Sequence, residues 1–410
     1  MELYDYGIIG GGPAGYTAGM MLANSGHSVV LFEKDKLGGT CLNRGCIPTK
    51  SFLHSSEVFA EIKSASKIGV EIEDMSFDFS KVVEKKDNAV EKIRKSLELA
   101  VKNSGVVVVN DEACVKEDCV ISTLSGEYKV GKIILATGSK PREIKGLEFD
   151  GKFILSSDDI LNLKELPKSV LIVGSGAIGL EWSRVLHNFG VEVTLVELAE
   201  HLVPLADVEV SKRVERIFKQ KKLKFYTKDF VKEITEDRVV KLNSGAEITP
   251  DFLLVAAGRE AVCPKCSCDA VIGDACGEIQ LAHYAVHQAK ALALGIPFDK
   301  TLVPSVIYGE PEIAWVGLRE QDCDETYTKT MLPITALGKA WCDDATDGFI
   351  KLITKDNLIC GASIVSKEAS SLIHIILSAI QNKIRVDEMK KMCFAHPTYA
   401  EGIFELLMRL

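Results

Sequence analysis

The feature that most limits how this chain can fold is a glycine turn that occurs twice in the same setting. A β-type run, Tyr6 to Ile9, leads into Gly10, Gly12 and Gly15, then a helical stretch from Tyr16 to Ser25, then a second β-type run from Ser28 to Phe32 that ends at Glu33. Far downstream, Ser169 to Val173 leads into Gly174, Gly176 and Gly179, and Val191 to Val196 ends at Glu197. Each copy is G-x-G-x-x-G inside a strand, turn, helix, strand unit, and in each the acid lies 18 residues past the last glycine. Small residues here let the backbone turn tightly, approach a pyrophosphate and pack helix against strand, while the helix N-terminus faces the negative charge. The acid at the end of the second strand can accept hydrogen bonds from an adenosine ribose. Two such units suggest two dinucleotides brought face to face, because one dinucleotide needs only one fingerprint. An acid rather than a base at position 197 favours an unphosphorylated ribose, hence NAD(H) over NADP(H). The plainer alternative is a duplicated domain with one empty site.

The remaining texture fits a larger α/β protein. Ile133 to Ser139 and Phe252 to Arg259 are paired β-type runs that reach Gly138 and Gly258, and each closes one nucleotide unit. Residues 77–103 read as a helix with many Lys and Glu residues on one side, a solvated face or, alternatively, a face for a partner; Gly105 to Asn110 reads as a strand. Beyond about residue 300, β-type runs at Phe349 to Ile353 and Leu358 to Ile364 precede a helical run, Ser370 to Gln381, which suggests an α+β terminal domain. Charge excludes one class of partner: Lys and Arg total 49 against 58 Asp and Glu, with no dense basic tract to neutralise a phosphate backbone, so no nucleic acid is expected. The N-terminal residues lack the basic region of a signal peptide and no membrane-length apolar run follows, so a cytoplasmic protein with no membrane association is expected.

Twelve cysteines in 410 residues are too sparse for a disulfide scaffold, and in a reducing compartment any disulfide needs a catalytic reason. One pair stands out. Gly38-Gly39-Thr40-Cys41 is followed by Leu42-Asn43-Arg44-Gly45-Cys46-Ile47-Pro48-Thr49-Lys50. Cys41 and Cys46, flanked by glycines and followed by Pro48, could close over a helical turn at disulfide distance. Zinc is the competing use, although no nearby His or Cys completes a tetrahedral set; two inert thiols are the plain reading. A disulfide beside an electron-carrying cofactor would be reduced to a dithiol, and one thiolate held against an oxidised flavin could donate charge to it. Near the C-terminus, His396 and Glu401 lie in Phe394-Ala395-His396-Pro397-Thr398-Tyr399-Ala400-Glu401. A histidine exchanges protons near neutral pH, and a carboxylate on one ring nitrogen fixes its tautomer and raises its basicity. A lone His before Pro is otherwise an ordinary turn residue.

With these motifs the chain resembles the pyridine nucleotide-disulfide oxidoreductases, and among them the dihydrolipoamide dehydrogenases, over nearly its whole length. The resemblance implies an α/β fold of two Rossmann-like nucleotide-binding domains plus a C-terminal α+β dimerisation domain. It places an FAD-binding domain at 1–140 and 271–300, an NAD-binding domain at 141–270, and the dimerisation domain at 301–410. FAD would be held by Gly10, Gly12, Gly15, Glu33 and Thr40, enclosed by Thr137 and Gly138, with Asp274 at its ribityl chain. Lys50 would pair with Glu181 beside the flavin ring; Gly174, Gly176, Gly179 and Glu197, with Gly258 at the closing strand end, would hold NAD(H). Cys41 and Cys46 would form the redox disulfide, Cys46 nearer the flavin, and His396 with Glu401 would come from the neighbouring subunit of a homodimer. The implied activity is oxidation of protein-bound dihydrolipoamide to lipoamide with NAD+, serving a lipoyl-bearing protein of a 2-oxoacid dehydrogenase or glycine-cleavage system. The alternatives are an NADH-dependent reductase of another small disulfide and a catalytically impaired structural flavoprotein. Glu197 speaks against a glutathione reductase-like activity, and the ending Leu407-Met408-Arg409-Leu410, without a terminal cysteine pair, against a mercuric reductase-like one.

Two departures from the family pattern stand out. Only Ala261 to Ile272 separates Gly258-Arg259-Glu260 from Gly273-Asp274, a markedly shorter segment than the family carries, so a loosened NAD domain or domain junction is one expectation. This stretch holds Cys263, Cys266 and Cys268, with Cys276 following; packing thiols, accessory redox chemistry and metal ligation compete, and the spacing matches no common metal motif. Phe394 stands where many dihydrolipoamide dehydrogenases have a second His. Cys114, Cys119, Cys323, Cys342, Cys360 and Cys393 show no pairing pattern and are expected to be packing thiols.

Overall fold

The structure is a computed structural model that describes residues 3–410. The first unit runs from strand β1 (Leu3–Ile9) through helix α1 (Pro13–Asn24) to β2 (Val29–Phe32), then through α2 (Gly39–Arg44), α3 (Cys46–Lys63) and α4 (Phe79–Asn103) to β3 (Val107–Val109). β4 (Cys114–Val115), β5 (Val120–Ser122) and β6 (Glu127–Leu135) complete a sheet of order β3-β2-β1-β6-β5-β4. β1 is parallel to both neighbours, with Ile9 opposite Phe32 on one side and Leu135 on the other. β2 reads Val-Val-Leu-Phe and is buried at every position, which is why an alternating pattern is absent from it.

After β7 (Ser139–Pro141) and β8 (Ile154–Leu155), the second unit repeats the plan with β9 (Ser169–Val173), α5 (Ala177–Asn188), β10 (Glu192–Glu197), α6 (Val208–Gln220) and β11 (Lys224–Thr227). A small antiparallel sheet of β12 (Val231–Ile234), β13 (Val240–Leu242) and β14 (Glu247–Ile248) precedes β15 (Phe252–Val255), and the parallel sheet has order β11-β10-β9-β15-β8. The two glycine turns pack alike. A side chain at Gly10 would meet the Ala136 carbonyl oxygen at 2.2 Å, and one at Gly174 the Ala256 carbonyl oxygen at 2.6 Å. At Gly15 and Gly179 a Cβ would fall 1.8 and 1.9 Å from the carbonyl oxygens of Gly10 and Gly174, so both helices ride directly on their own turns.

The shortened segment returns the chain to the first unit without slack. β16 (Arg259–Ala261) pairs antiparallel with β7, and β17 (Ala270–Val271) adds to the first sheet beside β6. Between them the Val262 N–H donates to the Gly138 carbonyl at 2.9 Å, and Asp269 bonds Ile133 with its N–H at 2.9 Å and its carboxylate at 2.8 Å. The short segment is thus anchored at both ends, by Val262 and by Asp269. α7 (Ala282–Leu294) then joins α1 in one core through Ala285, Ala289, Ala14 and Ala18.

The C-terminal domain is an antiparallel sheet of order β18-β19-β22-β21-β20, built from β18 (Ser305–Ile307), β19 (Glu312–Gly317), β20 (Thr328–Pro333), β21 (Phe349–Lys355) and β22 (Leu358–Ser366). Helices α8 (Gly338–Cys342), α9 (Ala369–Gln381), α10 (Val386–Met389) and α11 (Glu401–Leu407) accompany it. Its junction with the second unit holds a buried charge cluster: Lys351 Nζ lies 2.6 Å from Asp207 Oδ1 and 2.6 Å from Glu320 Oε2. Asp207 also caps α6 through the Glu209 N–H at 3.0 Å. Lys351→Met leaves the fully buried Asp207 without its cation, and a loss on the order of 3–5 kcal/mol is expected as a lower urea midpoint. An unchanged midpoint would show that the pair contributes nothing net.

Two expectations are corrected in detail. The charged side of α4 is not wholly solvated: Lys86 is buried, donates to the Leu161 carbonyl at 3.2 Å and pairs with Asp87 at 2.6 Å. Four of the six presumed packing thiols, Cys114, Cys119, Cys342 and Cys393, are exposed, and only Cys323 and Cys360 are partly covered.

Candidate active site

Cys41 sits in α2 and Cys46 opens α3, with Gly45 breaking the helix between them. The break turns the two side chains toward each other, and the thiols share a hydrogen bond. That contact splits their acidities. Cys46 is drawn down to about 7 by the hydrogen bond from Cys41 and by the Lys50 ammonium, against burial and the Glu181 charge. The Cys41 thiol is pushed far up, first by the same bond and then by burial. Of the two sulfurs, Cys46 is therefore the one whose surroundings favour the thiolate. Tyr16 of α1 faces both sulfurs, and burial together with their charge raises its phenol.

Lys50 follows one turn along α3 and reaches across to α5. Its Nζ lies 2.9 Å from each oxygen of Glu181, whose side chain is 5% exposed. Glu181 also accepts the Tyr308 N–H at 3.2 Å, and the Lys50 ammonium stands 4.5 Å above the Tyr308 ring. Residues 131 apart in sequence thus meet where α3, α5 and the turn after β18 converge.

Both glycine turns fit a dinucleotide. Neither α1 nor α5 has a side-chain cap, which leaves the N–H groups of each first turn available to a pyrophosphate. The space beside the middle glycines is open: a Cβ at Gly12 meets nothing closer than 3.8 Å, and one at Gly176 nothing within 4 Å. Gly39, at φ +55°, presses its Cα side against Gly12, so the cysteine-bearing segment is seated on the first turn. Glu33 accepts the Gly11 N–H at 2.7 Å, and Glu197 accepts the Ser175 N–H at 2.8 Å and the Ser175 hydroxyl at 2.6 Å. Each acid is held at the mouth of its turn.

A network that the sequence did not reveal ties the first site together. Arg259 donates through Nε to the Ser139 hydroxyl at 2.8 Å and through Nη2 to the Ser139 carbonyl at 2.9 Å, and its Nη2 lies 3.5 Å from the Thr40 hydroxyl. Ser139 in turn donates to Asp274 Oδ2 at 2.6 Å. Thr40, Ser139, Arg259 and Asp274 thereby form one chain, while the Thr137 hydroxyl bonds the Val262 carbonyl. Gly138 and Gly258 both adopt positive φ, at +75° and +94°, in the turns that close the two units. Arg259, Ser139 and Tyr308 belong to no local motif; their partners are distant in sequence, so no spacing rule could have found them.

His396 and Glu401 meet each other but not the cysteines. His396 Nδ1 lies 2.8 Å from Glu401 Oε1, and the other oxygen of Glu401 accepts the Thr398 N–H at 2.8 Å. Those two contacts, the backbone one first, hold the Glu401 carboxyl below its usual range, so it is the acceptor beside the imidazole. The His396 side chain is 77% exposed, and among the described residues no hydrogen bond or ion pair joins it to Cys41 or Cys46. The three cysteines of the shortened segment and Cys276 after it form no metal-binding group among the described residues. Cys266 and Cys268 pack against the core of the first sheet beside Val271, Cys276 is partly buried, and Cys263 is exposed.

Fold and site together define a two-nucleotide flavoenzyme with a dithiol centre, and the comparisons agree. The chain belongs to the pyridine nucleotide-disulphide oxidoreductase family, which it matches over residues 4–269, with the family's dimerisation domain at residues 303–407. It is an FAD- and NAD(H)-dependent disulfide oxidoreductase. Curated relatives include a dihydrolipoyl dehydrogenase of Bacillus subtilis, 33% identical over 458 aligned positions that cover 98% of this chain and 97% of that protein. The mitochondrial dihydrolipoyl dehydrogenase of Pisum sativum is 34% identical, covering 98% of this chain and 91% of that one. An alignment of 458 positions against a chain of 410 residues means that the relative carries segments missing here. Among solved structures, LpdA of Mycobacterium tuberculosis superposes with a TM-score of 0.90 at 23% identity, covering 98% of this chain and 99% of that one, a likeness of fold.

Proposed function

We propose that this protein is a dihydrolipoyl dehydrogenase, oxidising a protein-bound dihydrolipoyl dithiol to its cyclic disulfide with NAD+ as the final acceptor. The observation that carries this reading is the unequal Cys41–Cys46 pair across the break between α2 and α3, in a chain similar over nearly its whole length to curated dihydrolipoyl dehydrogenases. Bound FAD would supply the two-electron chemistry that links the enzyme dithiol to the nicotinamide. Gly10, Gly12, Gly15, Glu33, Thr40, Thr137, Gly138 and Asp274 would hold FAD, with Lys50 near its ring. Gly174, Gly176, Gly179, Glu197 and Gly258 would hold NAD(H).

The protein's own residues carry the thiol chemistry. His396, oriented by Glu401, takes the proton of the first substrate thiol on Nε2. That sulfur attacks Cys41 of the Cys41–Cys46 disulfide; a bond from Cys41 to the substrate forms, the Cys41–Cys46 bond breaks, and Cys46 leaves as the thiolate its surroundings favour. The second substrate thiol then attacks the substrate sulfur bound to Cys41. His396 returns its proton to Cys41 as that sulfur departs and accepts the proton of the second thiol. The substrate has lost two electrons, and the enzyme holds one thiol, one thiolate and a protonated His396.

The functional unit in this reading is a homodimer in which His396 and Glu401 of each subunit serve the cysteines of the other. The domain division is 1–140 with 271–300 for FAD, 141–270 for NAD(H) and 301–410 for dimerisation. A cytoplasmic setting and a lipoyl-bearing partner from a 2-oxoacid dehydrogenase or glycine-cleavage system complete it; no helix of the described residues is long and apolar enough to cross a membrane. The test is NADH formation from NAD+ and dihydrolipoamide by the FAD-loaded protein. Turnover supports the reading, whereas silence with dihydrolipoamide alongside NADH-driven reduction of another small disulfide transfers the assignment to that substrate.

A further inference from the structure

Beside the Lys50–Glu181 pair lies a buried cation that the thiol chemistry does not use. Arg184 is one turn beyond Glu181 on the same face of α5 and is 7% exposed. Its one hydrogen bond among the described residues runs from Nη1 to the Tyr308 carbonyl at 2.7 Å. The N–H of the same Tyr308 donates to Glu181 at 3.2 Å. Both polar groups of one residue are therefore fastened to one helix face, and the Tyr308 ring below the Lys50 ammonium is fixed with them.

The next residue shows that the turn is shaped around the arginine. Gly309 adopts φ +120°, and a Cβ there would lie 2.5 Å from Arg184 Cδ and 2.6 Å from Nη1. A larger residue would displace the guanidinium. The charges facing Arg184 come from several neighbouring elements: Glu181 on its own helix, Glu57 on α3, Glu310 just before β19, Glu312 at its start, and Lys221 just after α6. Burial lowers Arg184 to about 10, which leaves it cationic at neutral pH. Two small cavities of about 210 and 130 Å³ adjoin this cluster, the first lined by Lys50 and Tyr308 and the second by Arg184 and Lys221.

We propose that Arg184 is a positioning residue for the Lys50–Glu181 pair: it clamps the Tyr308–Gly309 turn onto α5 and so fixes where the Lys50 ammonium stands relative to Cys46. The inference rests on the reading of Cys46 and Lys50 as flavin-side machinery. Cys46 is faced by Cys41, Lys50, Glu181, Tyr16 and Tyr308. Of these, Cys41 through its hydrogen bond and then Lys50 through its charge favour the thiolate, and Glu181 opposes it. Releasing Tyr308 lets Lys50 drift, and removing the Arg184 charge leaves Glu181 less balanced; both changes favour the protonated thiol.

The test is the pH midpoint of the long-wavelength thiolate-to-flavin band in anaerobic two-electron-reduced enzyme, together with hydrogen exchange of the Tyr308 amide. As pH falls through the Cys46 pKa the thiolate takes a proton and the band fades. Arg184→Gln is expected to move that midpoint up by about 0.5–1 pH unit and to speed exchange at Tyr308. Gly309→Ala, which crowds the guanidinium, should act in the same direction, and Arg184→Lys, which keeps the cation, should restore most of the wild-type midpoint. An unmoved midpoint and unchanged Tyr308 exchange in folded, FAD-loaded Arg184→Gln and Gly309→Ala proteins would overturn the proposal. If Arg184→Gln does not fold, Gly309→Ala and Arg184→Lys decide it by the same readings. A wild-type enzyme with bound FAD but no such band would instead bring down the functional reading on which the proposal stands.

Discussion

Cys46→Ser is expected to abolish dihydrolipoamide oxidation, by at least roughly a thousandfold, because the disulfide cannot form and a serine hydroxyl cannot serve as the thiolate in its place. The fold should survive the change. Cys46 is the first residue of α3 and only partly buried, and serine is nearly isosteric with it. NADH-driven reduction of dyes or oxygen should persist, since that path needs the two nucleotide sites and not the thiol pair. Side-by-side assays of lipoamide turnover and dye reduction check this. Loss of both activities with FAD still bound would mean that Cys46 supports nucleotide chemistry as well; loss of FAD would point to a folding defect.

The second large effect concerns His396. Removing a positioned acid–base group commonly costs about 10²–10⁴-fold, so His396→Ala should fall in that range and Glu401→Gln somewhat less. The stronger form of the experiment mixes variants. Among the described residues His396 bonds Glu401 alone, and it presents 77% of its side chain outward, which suits service to another subunit. A dimer with one Cys46→Ser subunit and one His396→Ala subunit then contains one complete site, built from Cys46 of the second and His396 of the first. Reassembling the two inactive proteins should restore measurable turnover. If proton transfer were internal to each subunit, no complete site would exist in the mixture and activity would stay absent.

Much of this architecture was legible in the sequence because it depends on local rules. The two glycine turns, the short apolar strands after them and the acid closing each unit are contiguous patterns, and they fix the parallel strand pairs at the centre of each sheet with an uncapped helix at each turn. The cysteine pair was equally visible, since five positions of chain hold it. The Lys50–Glu181 pair came only through the family resemblance, because no periodicity links residues on α3 and α5. Arg259, Ser139, Tyr308 and Arg184 escaped altogether: each acts through a backbone or side-chain group brought near by the packing of separate domains. The exposed thiols show the same boundary from the other side. Cys114 is in an edge strand and Cys342 ends a short helix, and nothing in their local sequence distinguishes such places from a core.

Anaerobic titration of the FAD-loaded protein with NADH, read in the visible spectrum, tests most directly whether the nucleotide sites and the thiol pair form one electron path. Expected is loss of the oxidised flavin spectrum as the first equivalents are taken up, followed by a long-wavelength band from the Cys46 thiolate that fades as pH falls below about 7. Bound FAD that NADH does not reduce, or that is reduced without any thiolate band, would contradict a joined path from NAD(H) through FAD to Cys41 and Cys46.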